Sequence, residues 1–369
     1  MNRIMLPDWS LIYFDFVQHP VFLEMLDQRP EVAVTKLSFA GDEATNFAAV
    51  ARAQAYQATS VRDDLPPQYA VTSTFLARAP ELLVVSMHGA GYDTVDVDAC
   101  TAAGVLVVNQ SGGNAEGVAE HAVAMMLSVL KRIPDGDAGT RRGTVRKRAE
   151  LMGRDILRRT VGIIGLGHIG QRVAEILRLA FSCRVLAYDP YLDAAECARR
   201  GAEKVGLDVL LGASDVVSVH CPHNAETAGL IGAREFALMR PRSVLVNTAR
   251  FGIHDEAALH AAITSGHLAG AGLDVWEQEP PPIDHPLLKL DTVIATPHTA
   301  GITEDSRAGV ARFAAEQLFD IFEGRDPPRA INPEVLPALR PRLEAWRARV
   351  VGGRREKLEP GLVEVQKAE

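Results

Sequence analysis

Residues 161–170 read Val161-Gly162-Ile163-Ile164-Gly165-Leu166-Gly167-His168-Ile169-Gly170, and the run Arg184-Val185-Leu186-Ala187-Tyr188-Asp189 follows. The order is an apolar β-branched strand, a glycine turn, a helix carrying Val173, Ile176, Leu177 and Ala180, and a second strand closed by an acid. Each glycine has a separate physical reason. Gly165 permits the tight turn, Gly167 lets backbone approach a pyrophosphate, and Gly170 lets the helix pack close to the strand. The stretch reads as a dinucleotide site, with Asp189 at the end of the second strand to accept hydrogen bonds from ribose hydroxyls. A carboxylate there repels a 2′-phosphate. Pro190 and Tyr191 supply no cation to offset it, and Arg184 stands at the start of the strand, so NAD is expected rather than NADP. A plain turn-capping role is the alternative reading of Asp189.

Working outward, short apolar runs alternate with helical patterns: 215–219, 243–247, 269–275 and 292–295 on the C-terminal side, 82–86 and 104–108 on the N-terminal side. The expected fold class is α/β, two doubly wound parallel-sheet domains of Rossmann and flavodoxin type, with cofactor and substrate in the cleft between them. Residues 1–118 are expected to form the first part of a substrate domain, 119–304 the NAD-binding domain, 305–335 a return to the substrate domain, and 336–369 a charged C-terminal tail. Asn114 to Leu130 reads as one long apolar helix, and Ala308 to Phe322 as the helix that returns the chain. The segment from Pro134 to Arg159, rich in Arg, Gly and Asp, fits either a solvated arm or a subunit contact. Composition makes the tail loose, with Trp346, Val350 and Val351 as its available apolar anchors.

The 369 residues are 47% hydrophobic, enough to bury a sizeable core, and carry a formal net charge of −8. That charge argues against a general nucleic-acid or membrane-surface binder. Met1 to Phe16 holds Arg3, Asp8 and Asp15 without a long apolar core, so neither a signal peptide nor a membrane span is expected and the location is expected to be cytoplasmic. Cys100, Cys183, Cys197 and Cys221 are dispersed without a C-x-x-C pair, which suits reduced thiols and no metal site.

Three polar residues each follow a predicted strand of the nucleotide domain: Arg250, Glu279 and His298. In an open parallel sheet those strand ends converge on the ligand crevice. Moving a hydride between a hydroxyl-bearing carbon and a nicotinamide needs a base for the hydroxyl proton and a cation for a neighbouring carboxylate. His298 supplies the base, Glu279 fixes its tautomer, and Arg250 offers a permanently charged planar fork. Taken singly, each has a bland reading: a structural histidine, a turn glutamate and a surface ion pair. Their order behind the nucleotide turn favours the functional one.

The segments Asn247-Thr248-Ala249-Arg250, 272–280 (Gly-Leu-Asp-Val-Trp-Glu-Gln-Glu-Pro) and Thr296-Pro297-His298-Thr299-Ala300-Gly301 resemble the signatures of the D-isomer-specific 2-hydroxyacid dehydrogenases, as does 214–222 with Thr227, Leu230 and Gly232. The resemblance runs from about Leu82 to Thr303. It implies an NAD-dependent oxidoreductase that interconverts a small D-2-hydroxy acid and its 2-oxo acid. It further implies that His168 and Ile169 give amides to the pyrophosphate, and that Cys221, Pro222 and Thr227 border the cofactor. Thr248, Ala249 and Arg250 would lie along it. Asp274 would meet the nicotinamide carboxamide, with His298, Ala300 and Gly301 beside it. In the first domain His88, Gly89, Ala90 and Gly91 resemble the family's substrate loop, whose amides bind the carboxylate together with Arg250 and His298. A homodimer formed through the nucleotide domain is also implied.

The sequence departs from the family pattern in places. Phe251 stands directly after Arg250 where glycine is usual, and His254 where an apolar residue is usual. Val71-Thr72-Ser73-Thr74 lacks the arginine with which phosphoglycerate dehydrogenases hold a phosphate, which disfavours a phosphorylated substrate. Only the charged tail follows Asn332, so the regulatory small-molecule-binding domain of longer phosphoglycerate dehydrogenases is not expected. A phosphoglycerate-dehydrogenase-like enzyme and an NAD(H)-sensing, corepressor-like binding protein are the competing readings.

Overall fold

The computed structural model describes residues 9–15, 19–59, 65–145 and 147–358. The chain forms two compact units, one of Met1–Gly113 with Arg307–Glu369 and the other of Asn114–Ser306.

The first unit is built on a parallel sheet of β1 (Trp9–Tyr13), β2 (Val32–Lys36), β3 (Ala55–Ala58), β4 (Val84–Met87) and β5 (Leu106–Val108), in the order β2-β1-β3-β4-β5. That is the flavodoxin-like arrangement. Successive strand residues serve opposite cores: Leu11, Val84 and Leu106 join one buried cluster, Ile12, Val85 and Val107 the other. The helix Glu304–Phe322 lays Ala311, Ala314, Ala315, Leu318 and Phe322 on the first of these. Asn332 then ties the returning chain to β5, accepting from Val107 N at 2.8 Å and donating to Val105 O at 3.0 Å.

The segment expected to be loose from its composition, 336–369, is instead helical over Leu336–Leu358. Leu339 and Leu343 are buried, and Trp346 stacks on Trp9 at 4.5 Å, with Phe322 on the same indole at 4.3 Å. Few apolar residues suffice because they are spaced to share one face. The side chains of Val350 and Val351 lie outside the described residues.

The second unit carries β6 (Thr160–Ile164), β7 (Arg184–Tyr188), β8 (Glu203–Lys204), β9 (Val216–Val219), β10 (Val244–Asn247), β11 (Gly270–Leu273) and β12 (Val293–Ala295), all parallel, in the order β12-β11-β10-β9-β6-β7-β8. Chain order reverses between β6 and β9, so the ligand crevice of such a sheet opens at their carboxyl ends. Both faces are covered, as an all-parallel sheet requires. Val161, Ile163, Val216, Val244 and Val246 meet the helices Ala115–Lys131 and His168–Phe181, while Ile164, Val217, Val219 and Leu245 face the other layer. The first part of the Pro134–Arg159 segment belongs to a helix, Ile133–Arg142, that has no fully buried residue.

Candidate active site

The glycine turn follows β6 at the reversal point. Gly165 takes φ +88°, and a Cβ there would stand 2.6 Å from Cys221 N; one on Gly170 would stand 2.1 Å from Gly165 O. Both positions therefore exclude a side chain for packing reasons. Gly167 is different, since a Cβ on it would meet nothing within 4 Å. It precedes the helix His168–Phe181 without a side-chain cap, so the first-turn amides of His168 and Ile169 stand uncapped by a side chain at the positive end of the helix dipole.

Asp189 ends β7. Its Oδ2 accepts from Leu166 N at 2.9 Å and its Oδ1 from Tyr191 N at 3.0 Å. The carboxylate thus braces the glycine turn from outside, the turn-capping role, while each oxygen keeps a lone pair for a ribose hydroxyl. Behind β9, Thr227 closes the 222–227 loop by donating to Pro222 O at 2.6 Å and accepting from Asn224 N at 2.8 Å. Burial pushes the Cys221 thiol up to about 11, so it is not a nucleophile at neutral pH. Two buried polar atoms at these strand ends, Thr248 Oγ1 and His220 Nδ1, have no partner among the described residues. An open glycine turn, an uncapped helix start, an acid at the second strand and orphaned polar atoms fit a dinucleotide.

The loops after β11 and β12 carry the proposed chemistry. His298 Nδ1 lies 2.7 Å from Glu279 Oε2, and Trp276 N donates to Glu279 Oε1 at 3.1 Å, so both carboxylate oxygens are engaged. Trp276 is buried and donates Nε1–H to Thr296 O at 2.9 Å, which fastens the two loops together. Burial pushes the Glu279 carboxyl up, but the His298 hydrogen bond and charge, the Trp276 amide and the Arg250 charge together outweigh it. The carboxyl is held below its ordinary value. An ionised Glu279 can only accept, so His298 Nδ1 carries the hydrogen and Nε2 is left to exchange a proton. The His298 side chain is 33% exposed and that of Glu279 21%.

His298 adopts the left-handed conformation, φ +55°, and donates its amide to Asp274 O at 2.7 Å. The family resemblance puts Asp274 at the nicotinamide carboxamide. The structure turns its carboxylate inward, 0% exposed, to accept from Thr299 N at 2.8 Å, Ala300 N at 2.9 Å and Thr296 Oγ1 at 2.5 Å, because a buried carboxylate needs donors and the turn supplies them. Ala300 is correspondingly buried, and a Cβ on Gly301 would stand 2.8 Å from Asn114 Nδ2. Reading the sequence alone missed His121, whose Nε2 lies 3.1 Å from Thr296 Oγ1; the signal was a half-buried histidine flanked by the buried Ala119 and Ala122 of a long, mainly apolar helix.

Arg250 follows β10 on a turn held by Asn247, which donates to Arg250 O at 2.9 Å and accepts from Ala249 N at 2.9 Å. Arg250 itself donates to Ala249 O at 2.7 Å. Phe251 is 40% exposed and stacks on His223 at 5.9 Å. In the other unit, Gly89, Ala90 and Gly91 form a half-buried loop after β4. Gly89 O accepts from Gln110 N at 2.8 Å and Ala90 O from Asn109 Nδ2 at 2.6 Å. His88 does not offer its amide, which donates to Ala58 O at 2.7 Å to extend the strand; its Nε2 lies 2.6 Å from Arg307 Nη1, and burial pushes its imidazole down to about 3.

A cavity of about 320 Å³ lies elsewhere, lined by Arg132, Asp135, Arg154, Val244, Ala269 and Thr292 among others. Val244 and Thr292 stand at the amino ends of β10 and β12, whose carboxyl ends lead to Arg250 and His298, so the cavity is separate from the chemistry.

A family profile described as the D-isomer specific 2-hydroxyacid dehydrogenase, NAD binding domain, matches residues 123–300. A glyoxylate reductase of Korarchaeum cryptofilum is 38% identical over 261 residues, covering 70% of this chain and 78% of that protein. The chain belongs to the D-isomer-specific 2-hydroxyacid dehydrogenases. D-3-phosphoglycerate dehydrogenase of Archaeoglobus fulgidus is 40% identical over 286 residues, covering 78% of this chain and 53% of that one. The chain therefore spans about half the length of the phosphoglycerate dehydrogenase relatives it matches. Among solved structures, D-lactate dehydrogenase from Aquifex aeolicus, complexed with NAD and lactic acid, superposes with a TM-score of 0.73 at 28% identity, over 85% of this chain and 96% of that one. The second unit is thus the NAD-binding domain of this dehydrogenase family.

Proposed function

We propose that this family member interconverts a D-2-hydroxy acid and its 2-oxo acid with NAD, the observation that carries the reading being the 2.7 Å His298–Glu279 pair with Arg250 close enough to lower the Glu279 carboxyl. The glycine turn with the His168 and Ile169 amides would hold the pyrophosphate, Asp189 the adenosine ribose, and the strand ends from Cys221 and Thr248 the remainder. Bound NAD supplies the hydride acceptor, or in its reduced form the donor. The Arg250 fork binds the substrate carboxylate and polarises the 2-oxo oxygen. His298 Nε2 takes the hydroxyl proton in oxidation and returns it in reduction, and Glu279 stabilises the imidazolium in between. The Gly89–Gly91 amides, which donate to no described residue, are assigned to the carboxylate by the family resemblance.

The substrate we favour is unphosphorylated. Where the resemblance expects a phosphate-binding arginine, at the first position of Val71-Thr72-Ser73-Thr74, the chain holds the buried Val71, and Thr72 beside it caps the helix Ser73–Ala77 by accepting from Phe75 N at 3.4 Å. The names of the relatives favour the second reading, a phosphoglycerate-dehydrogenase-like activity. The deciding experiment is NADH oxidation over glyoxylate, hydroxypyruvate, pyruvate, bulky apolar 2-oxo acids and 3-phosphohydroxypyruvate, with Arg250→Ala as control. Turnover of an unphosphorylated acid that is lost in the variant supports the proposal. Preference for the phosphorylated acid transfers it to the second reading, and tight NADH binding without turnover transfers it to a sensor.

A homodimer is part of the proposal: within the NAD-binding unit Ile133, Met152, Leu157 and Leu179 are exposed apolar side chains. A monomer mass in light scattering would count against it. Among the described residues no helix is long and apolar enough to cross a membrane, and we place the chain in the cytoplasm, to be checked by cell fractionation.

A further inference from the structure

The turn that carries Arg250 is held from behind by Asn247 and His254. Asn247 is the last residue of β10 and fully buried. Its orientation is fixed by its neighbours: Oδ1 accepts from Ala249 N and Nδ2 donates to Arg250 O, since a backbone N–H only donates and a carbonyl only accepts. The same Nδ2 stands 3.0 Å from His254 Nδ1. An amide NH₂ has nothing to accept with, so His254 Nδ1 must be the acceptor and the imidazole is neutral with its hydrogen on Nε2. His254 is 3% exposed, and its Nε2 has no partner among the described residues. Burial pushes this imidazole down to about 4, against the opposing charge of Asp255, which keeps Nδ1 unprotonated at neutral pH.

The backbone around His254 is itself pinned. Ile231 N donates to Ile253 O at 3.0 Å and Asp255 N to Ile231 O at 3.0 Å, so the ring is a fixed post rather than a follower of the turn. A buried histidine with an orphaned N–H costs stability, and the contact it makes in return is to the amide that holds Arg250.

We propose that His254 is a positioning residue for Arg250, acting through the Asn247 amide to fix the Thr248–Arg250 turn and hence the guanidinium that receives the 2-oxo acid. The proposal rests on the function given above. An apolar residue at 254 leaves one Asn247 N–H unpaired in the core and frees the amide to rotate. The guanidinium then samples positions displaced from the carboxylate, which weakens substrate binding more than the proton transfer at His298.

The test compares His254→Leu, which removes the acceptor, with His254→Asn, whose Oδ1 replaces Nδ1. The expected result for His254→Leu is a KM for the best 2-oxo acid raised on the order of ten-fold, with kcat and the NADH dissociation constant changed much less. His254→Asn should return KM to within about two-fold of wild type. Imidazole ¹⁵N shifts of the wild-type protein at pH 7 should show Nδ1 bare and Nε2 protonated. A merely structural role would lower the melting temperature of both variants without splitting KM from kcat. An unchanged KM in His254→Leu, a KM in folded His254→Asn as high as in His254→Leu, or a protonated Nδ1 would each overturn the proposal. If His254→Leu does not fold, His254→Asn and the shifts decide. If wild type turns over no 2-oxo acid the proposed function fails, and the ¹⁵N shifts still test the clamp.

Discussion

His298 Nδ1 and Glu279 Oε2 stand 2.7 Å apart on two loops that a buried tryptophan fastens together. The pair pre-sets the imidazole tautomer before any substrate arrives, so the two residues should fail differently when removed. His298→Ala is expected to lower kcat by about 10² to 10⁴ while NADH still binds, because only the proton transfer is lost. Glu279→Gln should lower it less. Stopped-flow turnover beside NADH fluorescence titration checks both.

The same pair sets a pH dependence of stability. The folded-state pKa of Glu279 is depressed, so its contribution is fully present above the ordinary glutamate value and is lost as pH falls through the depressed one. The melting-temperature gap between wild type and Glu279→Gln should therefore be constant near neutrality and shrink in acid. A gap that widened on acidification would contradict the assignment.

Two neighbouring glycines should behave oppositely. A Cβ on Gly170 would stand 2.1 Å from the backbone oxygen of Gly165, whereas one on Gly167 meets nothing within 4 Å. Gly170→Ala should destabilise the fold by several kcal/mol, on the order of the overpacking cost. Gly167→Ala should melt as wild type and lose NADH affinity, because the methyl occupies space the pyrophosphate needs. Calorimetry and fluorescence titration separate the two.

Asp189 braces the glycine turn through Leu166 N, and a carboxylate at that strand end is proposed to repel a 2′-phosphate. Asp189→Ala should weaken NADH while raising the NADPH to NADH ratio of kcat/KM on the order of ten-fold, since removing a repulsive charge changes selectivity even without a new contact. A ratio that did not move would leave Asp189 with the turn-capping role alone.

Trp346 stacks on Trp9 at 4.5 Å from within a helix whose composition is mostly charged. Trp346→Ala should cost about 1–3 kcal/mol for the apolar area lost. Urea unfolding, with the midpoint falling at constant slope, measures it.

The glycine turn, the acid at Asp189 and the three polar residues at strand ends were legible because each depends on near neighbours in the chain and on a regular alternation of strand and helix. The tail was misjudged because composition counts apolar residues without knowing what they meet: Leu339 and Leu343 are enough once they lie on the core under the helix Glu304–Phe322. The surroundings of Asp274 were not legible for the same reason. Its three donors, Thr296, Thr299 and Ala300, lie more than twenty residues along the chain, on a loop of another strand.

The sequence by itself determined the strand–glycine turn–helix unit, the preference for an unphosphorylated ribose and the placement of Arg250, Glu279 and His298 just after strands, since local geometry and charge are written in adjacent residues. Only the tertiary structure decided which imidazole nitrogen of His298 meets Glu279, the donors that surround the buried Asp274 carboxylate and the contact of His254 with the Asn247 amide behind Arg250. Those depend on which donors and acceptors meet after strands distant in sequence are brought side by side, and in a buried site each such meeting must be satisfied.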